Sequence, residues 1–233
     1  MSASVFERKE IKYPINREQH DGLLALLEER IKADNYGLST VCNIYFDTPD
    51  SRLIRESIEK PLYKEKLRLR TYGVPGENST SFIELKKKFE GIVYKRRETL
   101  PYAEAMRFLT EGAAPSRQSQ IFRELKWTLD FYGNLVPAMV LCYDRIAYNA
   151  VEDPEIRVTF DSNIRYRTHD LDLTHGAYGE QLLEDGCFIM ELKISGAMPL
   201  WLSHALDKLK IYPGSYTKYG NAYKKLLIEG SIL

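Results

Sequence analysis

The chain has 233 residues, and its 33 Lys plus Arg balance its 33 Asp plus Glu. A neutral whole excludes a generally basic nucleic-acid coat, so any positive field has to come from local clustering. Cys42, Cys142 and Cys187 lack CxxC spacing and read as buried thiols in a reducing compartment; no apolar run nears the ~20 residues of a membrane span and "MSASVFERKEIKY" has no signal-peptide core, so a soluble cytoplasmic protein is expected.

Taken in chain order, most of the sequence reads as strands with a few helices between them. "VFERKEIKYPI" (5–15) predicts a strand, followed by a helix from Asn16, an N-cap with Gln19 three residues on. Leu23, Leu24, Leu27 and Ile31 fall on one stripe of that helix. "STVCNIYFDT" (39–48) is β-branched and aromatic, hence a strand. "YKEKLRLRTYG" (63–73), "TSFIELKKKF" (80–89) and "IVYKRRETL" (92–100) predict three more, the last two joined at a Glu-Gly turn. Pro101 suits the first turn of a short helix ending near Gly112, and a second helix runs from Ser116 to Tyr132, stopped by Gly133. Strands over 138–149, 155–166 and 187–195 follow, then helices near 199–211 and 216–229. Nothing reads as linker, low-complexity tail or repeat. The expectation is one α+β domain over residues 1–233, an antiparallel sheet of about eight strands with helices inserted.

Alternation carries the functional signal. In "YKEKLRLRTYG", Lys64, Lys66, Arg68 and Arg70 occupy every second position, so in a strand all four project to one face, about 7 Å apart. Glu84, Lys86 and Lys88, then Lys95 and Arg97, repeat the pattern, as do Arg8, Glu10 and Lys12 on the first strand. Later strands add Tyr143 and Arg145, then Arg157, Thr159 and Asp161, then Glu191 and Lys193, the last opposite a wholly apolar Phe188, Met190, Leu192 and Ile194. A solvated face mixes signs, because like charges opposite one another weaken pairing. A closed barrel reconciles the bias: cations line the interior, apolar faces point outward under amphipathic helices, and the interior takes a polyanion. Arg forks and Lys ammonium groups suit phosphates, and the few Glu among them suit a divalent metal.

The motifs "RKEIKY", "NIYFDT", "LRLRTYG", "IELKKK", "YKRR", "YDRIAY", "RVTFD", "MELKI" and "TKYGNA", in that order, resemble the triphosphate tunnel metalloenzymes, and more closely the catalytic domain of the vacuolar transporter chaperone (VTC) family of polyphosphate polymerases. The resemblance runs from about residue 6 to residue 225. It implies phosphate-binding cations at Lys12, Arg68, Arg70, Lys86, Lys95, Arg97, Arg145, Arg157 and Lys218, and a metal carboxylate at Glu191 with Lys193 on the same wall. The superfamily's Glu-x-Glu-x-Lys stands here as Arg8-x-Glu10-x-Lys12, which leaves Glu10 as the second candidate metal ligand and favours the polymerase branch over a two-metal hydrolase. The implied activity is transfer of the ATP γ-phosphoryl group to phosphate or polyphosphate with Mn²⁺ or Mg²⁺, with a membrane-protein partner that draws product away. The alternatives are a tunnel hydrolase of inorganic triphosphate, thiamine triphosphate or RNA 5′-triphosphate, and a non-catalytic polyphosphate-binding module. The histidines lie in no strand motif, which counts against a phosphohistidine intermediate; no RRM-type signature accompanies "LKKKF" or "YKRRE", so nucleic acid is not the expected ligand.

Overall fold

Alternating apolar and charged residues build a sheet whose two faces differ in kind. A computed structural model describes residues 9–59, 61–90 and 92–230. Arg8, the head of the first strand expected from residue 5, and Gly91 of the expected Glu-Gly turn lie outside the described residues. The strands are β1 (Lys9–Asn16), β2 (Ile31–Ala33), β3 (Ser39–Asp47), β4 (Tyr63–Tyr72), β5 (Thr80–Phe89), β6 (Ile92–Pro101), β7 (Val136–Ala150), β8 (Arg157–Arg167), β9 (Glu180–Gln181) and β10 (Cys187–Ile194). The helices are α1 (Arg17–Leu27), α2 (Arg52–Ile58), α3 (Tyr102–Glu111), α4 (Gln120–Tyr132), α5 (Leu200–Lys208) and α6 (Lys218–Ile228). The hydrogen-bonded order is β1-β10-β8-β7-β3-β4-β5-β6, with β2 on β7 and β9 on β8. The α+β class and the antiparallel pairing are those expected. Among the described residues no ladder joins β1 to β6, so backbone pairing leaves the sheet open where a closed barrel was expected.

The chain packs as two compact units. One holds the chain up to Ser39, Tyr143–Ile164 and Leu183–Thr217; the other holds Thr40–Cys142, Arg165–Leu182 and the chain from Lys218. In the first unit, Tyr13 and Ile15 of β1, Met190 and Leu192 of β10, and Val158 and Phe160 of β8 form a buried face. Leu23 and Leu27 of α1 and Leu202 and Leu206 of α5 cover it. Asn16 caps α1 as expected, its side chain accepting from Gln19 N while the Gln19 side chain accepts from Asn16 N. The helix stops at Leu27. Ile31, expected on its stripe, instead opens β2 opposite Ala150, where it stays buried in the same core. Strand pairing wins because it satisfies backbone groups that a frayed last turn would leave open.

In the second unit, Ile44, Phe46, Leu67, Leu69, Ile83 and Leu85 pack under α3 and α4 through Phe108, Leu109, Phe122 and Leu125. α4 starts at Gln120, not Ser116, because the Ser119 side chain accepts from Phe122 N. Gly112 and Gly133 end α3 and α4 at φ +69° and +73°, a backbone that favours glycine. α2 has no capping side chain of its own. The fully buried Asp47 carboxylate accepts from Leu53 N and Ile54 N, and from Tyr219 Oη at 3.0 Å.

Candidate active site

Register turns the alternation of the first unit into rows. Lys12 lies opposite Glu191, and Glu191 opposite Thr159; Glu10 lies opposite Lys193, and Lys193 opposite Arg157. Partners in register share a face, so these side chains stand together on the side away from the apolar core. Lys193 Nζ is 3.0 Å from Glu191 Oε1, and Lys12 Nζ donates to the Tyr216 carbonyl at 3.1 Å while standing 3.7 Å from Glu10. Burial pushes the Glu191 carboxyl up, but Lys193, Lys12 and Arg145 outweigh it and hold it at about 2. Glu191 is therefore an ionised carboxylate at neutral pH, 8% exposed and ringed by cations. Arg145 forks onto the fully buried Asp161 through Nε at 2.6 Å and Nη2 at 2.8 Å and lies over the Tyr143 ring. Burial works against its charge, but Tyr143, Asp161 and Glu191 raise its pKa further. Arg157 donates to Asp34 at 3.0 Å.

One polar atom in these rows is left over. Thr159 Oγ1 is buried and has no hydrogen-bond partner among the described residues, one position across the ladder from Glu191. A hydroxyl so placed costs roughly 1–3 kcal/mol unless something satisfies it. No three His, Cys, Asp or Glu among the described residues are grouped to hold a metal ion. A hard cation bound with a phosphate substrate needs fewer, because it takes one or two carboxylates and completes its shell with phosphate oxygens and water. Glu191, Glu10 and the Thr159 hydroxyl meet that requirement.

The second unit has its own carboxylate. Glu84 of β5, 1% exposed, sits in register between Arg68 of β4 and Arg97 of β6. Arg68 Nε donates to it at 2.7 Å, Lys95 Nζ at 2.7 Å and Arg97 Nε at 2.8 Å, and Arg70 Nε stands 3.7 Å away. Burial alone would raise the Glu84 carboxyl; Arg68, Arg70 and Lys95 hold it far below the usual range. Lys95 itself is pushed down, chiefly by burial. Arg70 also donates to Asn43 at 3.0 Å, and Arg68 to Tyr45 Oη at 3.2 Å. Burial raises the Tyr45 hydroxyl, yet Arg68 and Lys66 bring it down to about 8. The next row is uniformly cationic: Lys66 opposite Lys86, and Lys86 opposite Lys95. Like charges directly opposite weaken a sheet, so this row is held at a cost. Lys218 opens α6, half-buried.

The structure thus brings Lys12, Arg145 and Lys193 to Glu191, and Arg68, Arg70, Lys95 and Arg97 to Glu84, with Lys86 in the adjoining row. Arg157 is turned to Asp34. Four participants that the alternation placed on these faces were given no site role by the sequence: Glu84, Asp161, Thr159 and Lys66. Each lies at an even position of its strand, or at the odd-numbered equivalent, on the same face as the cations. The alternation had already put all four on that face, but roles went only to other cations, Glu191 and Glu10, because which carboxylate pairs which cation follows from strand order.

In each unit, antiparallel strands set cations and a buried carboxylate on one face with helices over the other, the arrangement expected of the triphosphate tunnel metalloenzymes. The VTC domain model matches residues 7–227, and the chain belongs to the VTC domain family. Two solved structures share the fold. A candidate adenylyl cyclase from Hippeastrum, described as having a dominant triphosphatase activity, is 18% identical over 97% of this chain and 98% of its own, with a TM-score of 0.57. A candidate adenylate cyclase from Bacillus halodurans is 16% identical over 90% and 95%, with a TM-score of 0.54. A search of curated protein sequences found no match. Among the described residues no helix is long and apolar enough to cross a membrane.

Proposed function

We propose that the chain acts as one VTC-type catalytic domain, a metal-dependent phosphotransferase that moves the γ-phosphoryl group of ATP onto phosphate or the end of a polyphosphate chain. The observation that carries this reading is Glu191: a buried, ionised carboxylate among Lys12, Lys193 and Arg145, in a chain of the VTC family. Phosphoryl transfer passes through a loose transition state, so positioning and charge neutralisation suffice and no protein nucleophile is needed. Lys12 and Lys193 stand where they can neutralise phosphate oxygens beside Glu191. Arg145, locked by its fork to Asp161, presents a fixed charge that does not have to be ordered during the reaction. Arg68, Arg70, Lys86, Lys95 and Arg97 form a second phosphate-binding set, Arg157 adds a cation to the Lys193 row, and Lys218 is a further phosphate-binding cation. Glu191, with Glu10 and the Thr159 hydroxyl, would hold Mn²⁺ or Mg²⁺, which when bound neutralises phosphate charge.

Incubation with ATP and Mn²⁺ tests the reading. The expected products are ADP and chains of many lengths, seen as a ladder on a gel. Stoichiometric free phosphate without a ladder, even with a short polyphosphate primer, would assign the site to a triphosphate hydrolase. Glu191→Gln should abolish metal-dependent turnover in either case while retaining phosphate binding, because the amide keeps the shape and loses the charge.

A further inference from the structure

The helix-bearing face of β4, β5 and β6 carries a different surface at its far end. Register aligns Tyr63, Phe89 and Ile92 in one row, and Glu65, Lys87 and Tyr94 in the next. These rows continue the face that α3 and α4 cover, yet Tyr63, Phe89, Ile92 and Tyr94 remain exposed. Trp127 and Phe131 of α4, stacked at 5.1 Å, are exposed by 57% and 58%. Lys87 Nζ lies over the Trp127 ring and Tyr63 against Phe89, so the patch is continuous. An aromatic patch of this kind rimmed by charge marks an interaction site. Between α4 and β6 lies a groove of about 540 Å³ whose lining includes Lys87, Tyr94, Arg96, Arg123, Glu124 and Trp127. Along it runs β6, the last strand in the hydrogen-bonded order.

We propose that this groove and the β6 edge bind an extended, acidic segment of a partner protein that carries an aromatic side chain. Charge selects the acid. Lys87, Arg96 and Arg123 meet two carboxylates among the described residues: Glu65, 3.1 Å from Lys87 Nζ, and Glu124, held by Arg96 Nε at 2.7 Å. Arg123 makes no ion pair among the described residues. The edge selects an extended backbone, because a terminal strand offers outward N–H and C=O groups to one more strand. Arg117 donates to the Thr99 carbonyl and closes that end, which leaves the edge from Ile92 to Glu98. A nucleotide fits less well: Trp127 is already stacked on Phe131 and covered by Lys87, so a base would have to displace one of them. A peptide ring needs only the groove.

The test uses the whole chain and short fluorescein-labelled peptides that alternate Asp or Glu with Phe, Tyr, Trp, Leu or Ala, titrated by fluorescence polarisation. ATP and phosphatidylserine vesicles serve as parallel probes. Acidic peptides with aromatic residues should bind, and their Ala-only counterparts should bind about 10-fold more weakly, the usual weight of an aromatic anchor. Arg123→Glu and Trp127→Ala should each weaken binding about 10-fold without changing ATP turnover. Backbone amides of Ile92–Arg97 should exchange more slowly in the complex, which a contact through side chains alone would not produce. The proposal is overturned if no acidic peptide binds, if neither variant alters binding, or if vesicles or ATP are the only probes whose binding Arg123→Glu weakens.

Discussion

At Glu84 one carboxylate answers four cations, and at Glu191 another answers three. Replacing Glu84 with Gln keeps an acceptor but leaves Arg68, Arg70, Lys95 and Arg97 without their counter-charge. The expected loss is about 3 kcal/mol, the low end for a broken buried pair, because Lys95 and Arg97 reach solvent. Urea denaturation of Glu84→Gln checks this. A loss under about 1 kcal/mol would mean that the cations relax into water at little cost. The same residues set an acid limit. Both carboxyls titrate lower in the folded chain than in the unfolded one, so their stabilisation is complete above the ordinary glutamate pKa and is lost as pH falls towards the folded value. For Glu191 that window runs from the ordinary glutamate value of 4.5 down to about 2, and for Glu84 it extends further into acid. Stability should therefore fall steeply below pH ~4.5, and Glu191→Gln should flatten part of that slope. An unchanged slope would place the acid sensitivity elsewhere.

Strands were the most legible elements, because a period of two survives in a short window and the register of a ladder follows from which face is apolar. "YKEKLRLRTYG" became β4 with its cations on one side, and "CFIMELKIS" became β10 with Leu192 and Met190 inward. What stayed hidden depends on distant partners. α2 is capped by a carboxylate from the end of β3 and not by a residue of its own, and β2 exists only because β7 pairs it. The carboxylates of the site were visible as letters, but their pairing follows from strand order, which alternation does not reveal. The connection after α5 shows how such order reaches the site. Gly214 N donates to the Lys12 carbonyl at 2.8 Å, and a Cβ at position 214 would come within 2.6 Å of Pro14 Cδ. Gly214→Ala should push this connection off β1, loosen the Lys12–Tyr216 contact and cost about 1–3 kcal/mol. Turnover should fall more than stability explains when both are measured at a temperature where the variant is folded.

On the scale of the molecule the formal charge is zero, so the cations of the site are balanced mostly by acids that lie away from it. Folding brings like charges such as Lys66, Lys86 and Lys95 together, and a polyanion that binds only the folded chain relieves that repulsion. At 100 times its dissociation constant such a ligand adds about 2.7 kcal/mol. Tripolyphosphate or longer polyphosphate at low salt should raise the melting temperature by several degrees, and the shift should shrink as salt shortens the Debye length. A melting temperature that polyphosphate leaves unmoved would count against a phosphate site in either unit.

If the second set of cations binds phosphates as proposed, Glu84 also sets selectivity. It is a resident anion tethered beside Arg68, Arg97 and Lys95, so any anion arriving from solution competes with one already present at high effective concentration. Chloride, acetate or a single orthophosphate brings one small group to that contest and is easily outbid. A chain of linked phosphates brings many groups on one backbone, and each one captured raises the local concentration of the next. Affinity should therefore climb steeply with the number of phosphates instead of in equal steps, and the domain would ignore the abundant small anions around it without having to exclude them by size.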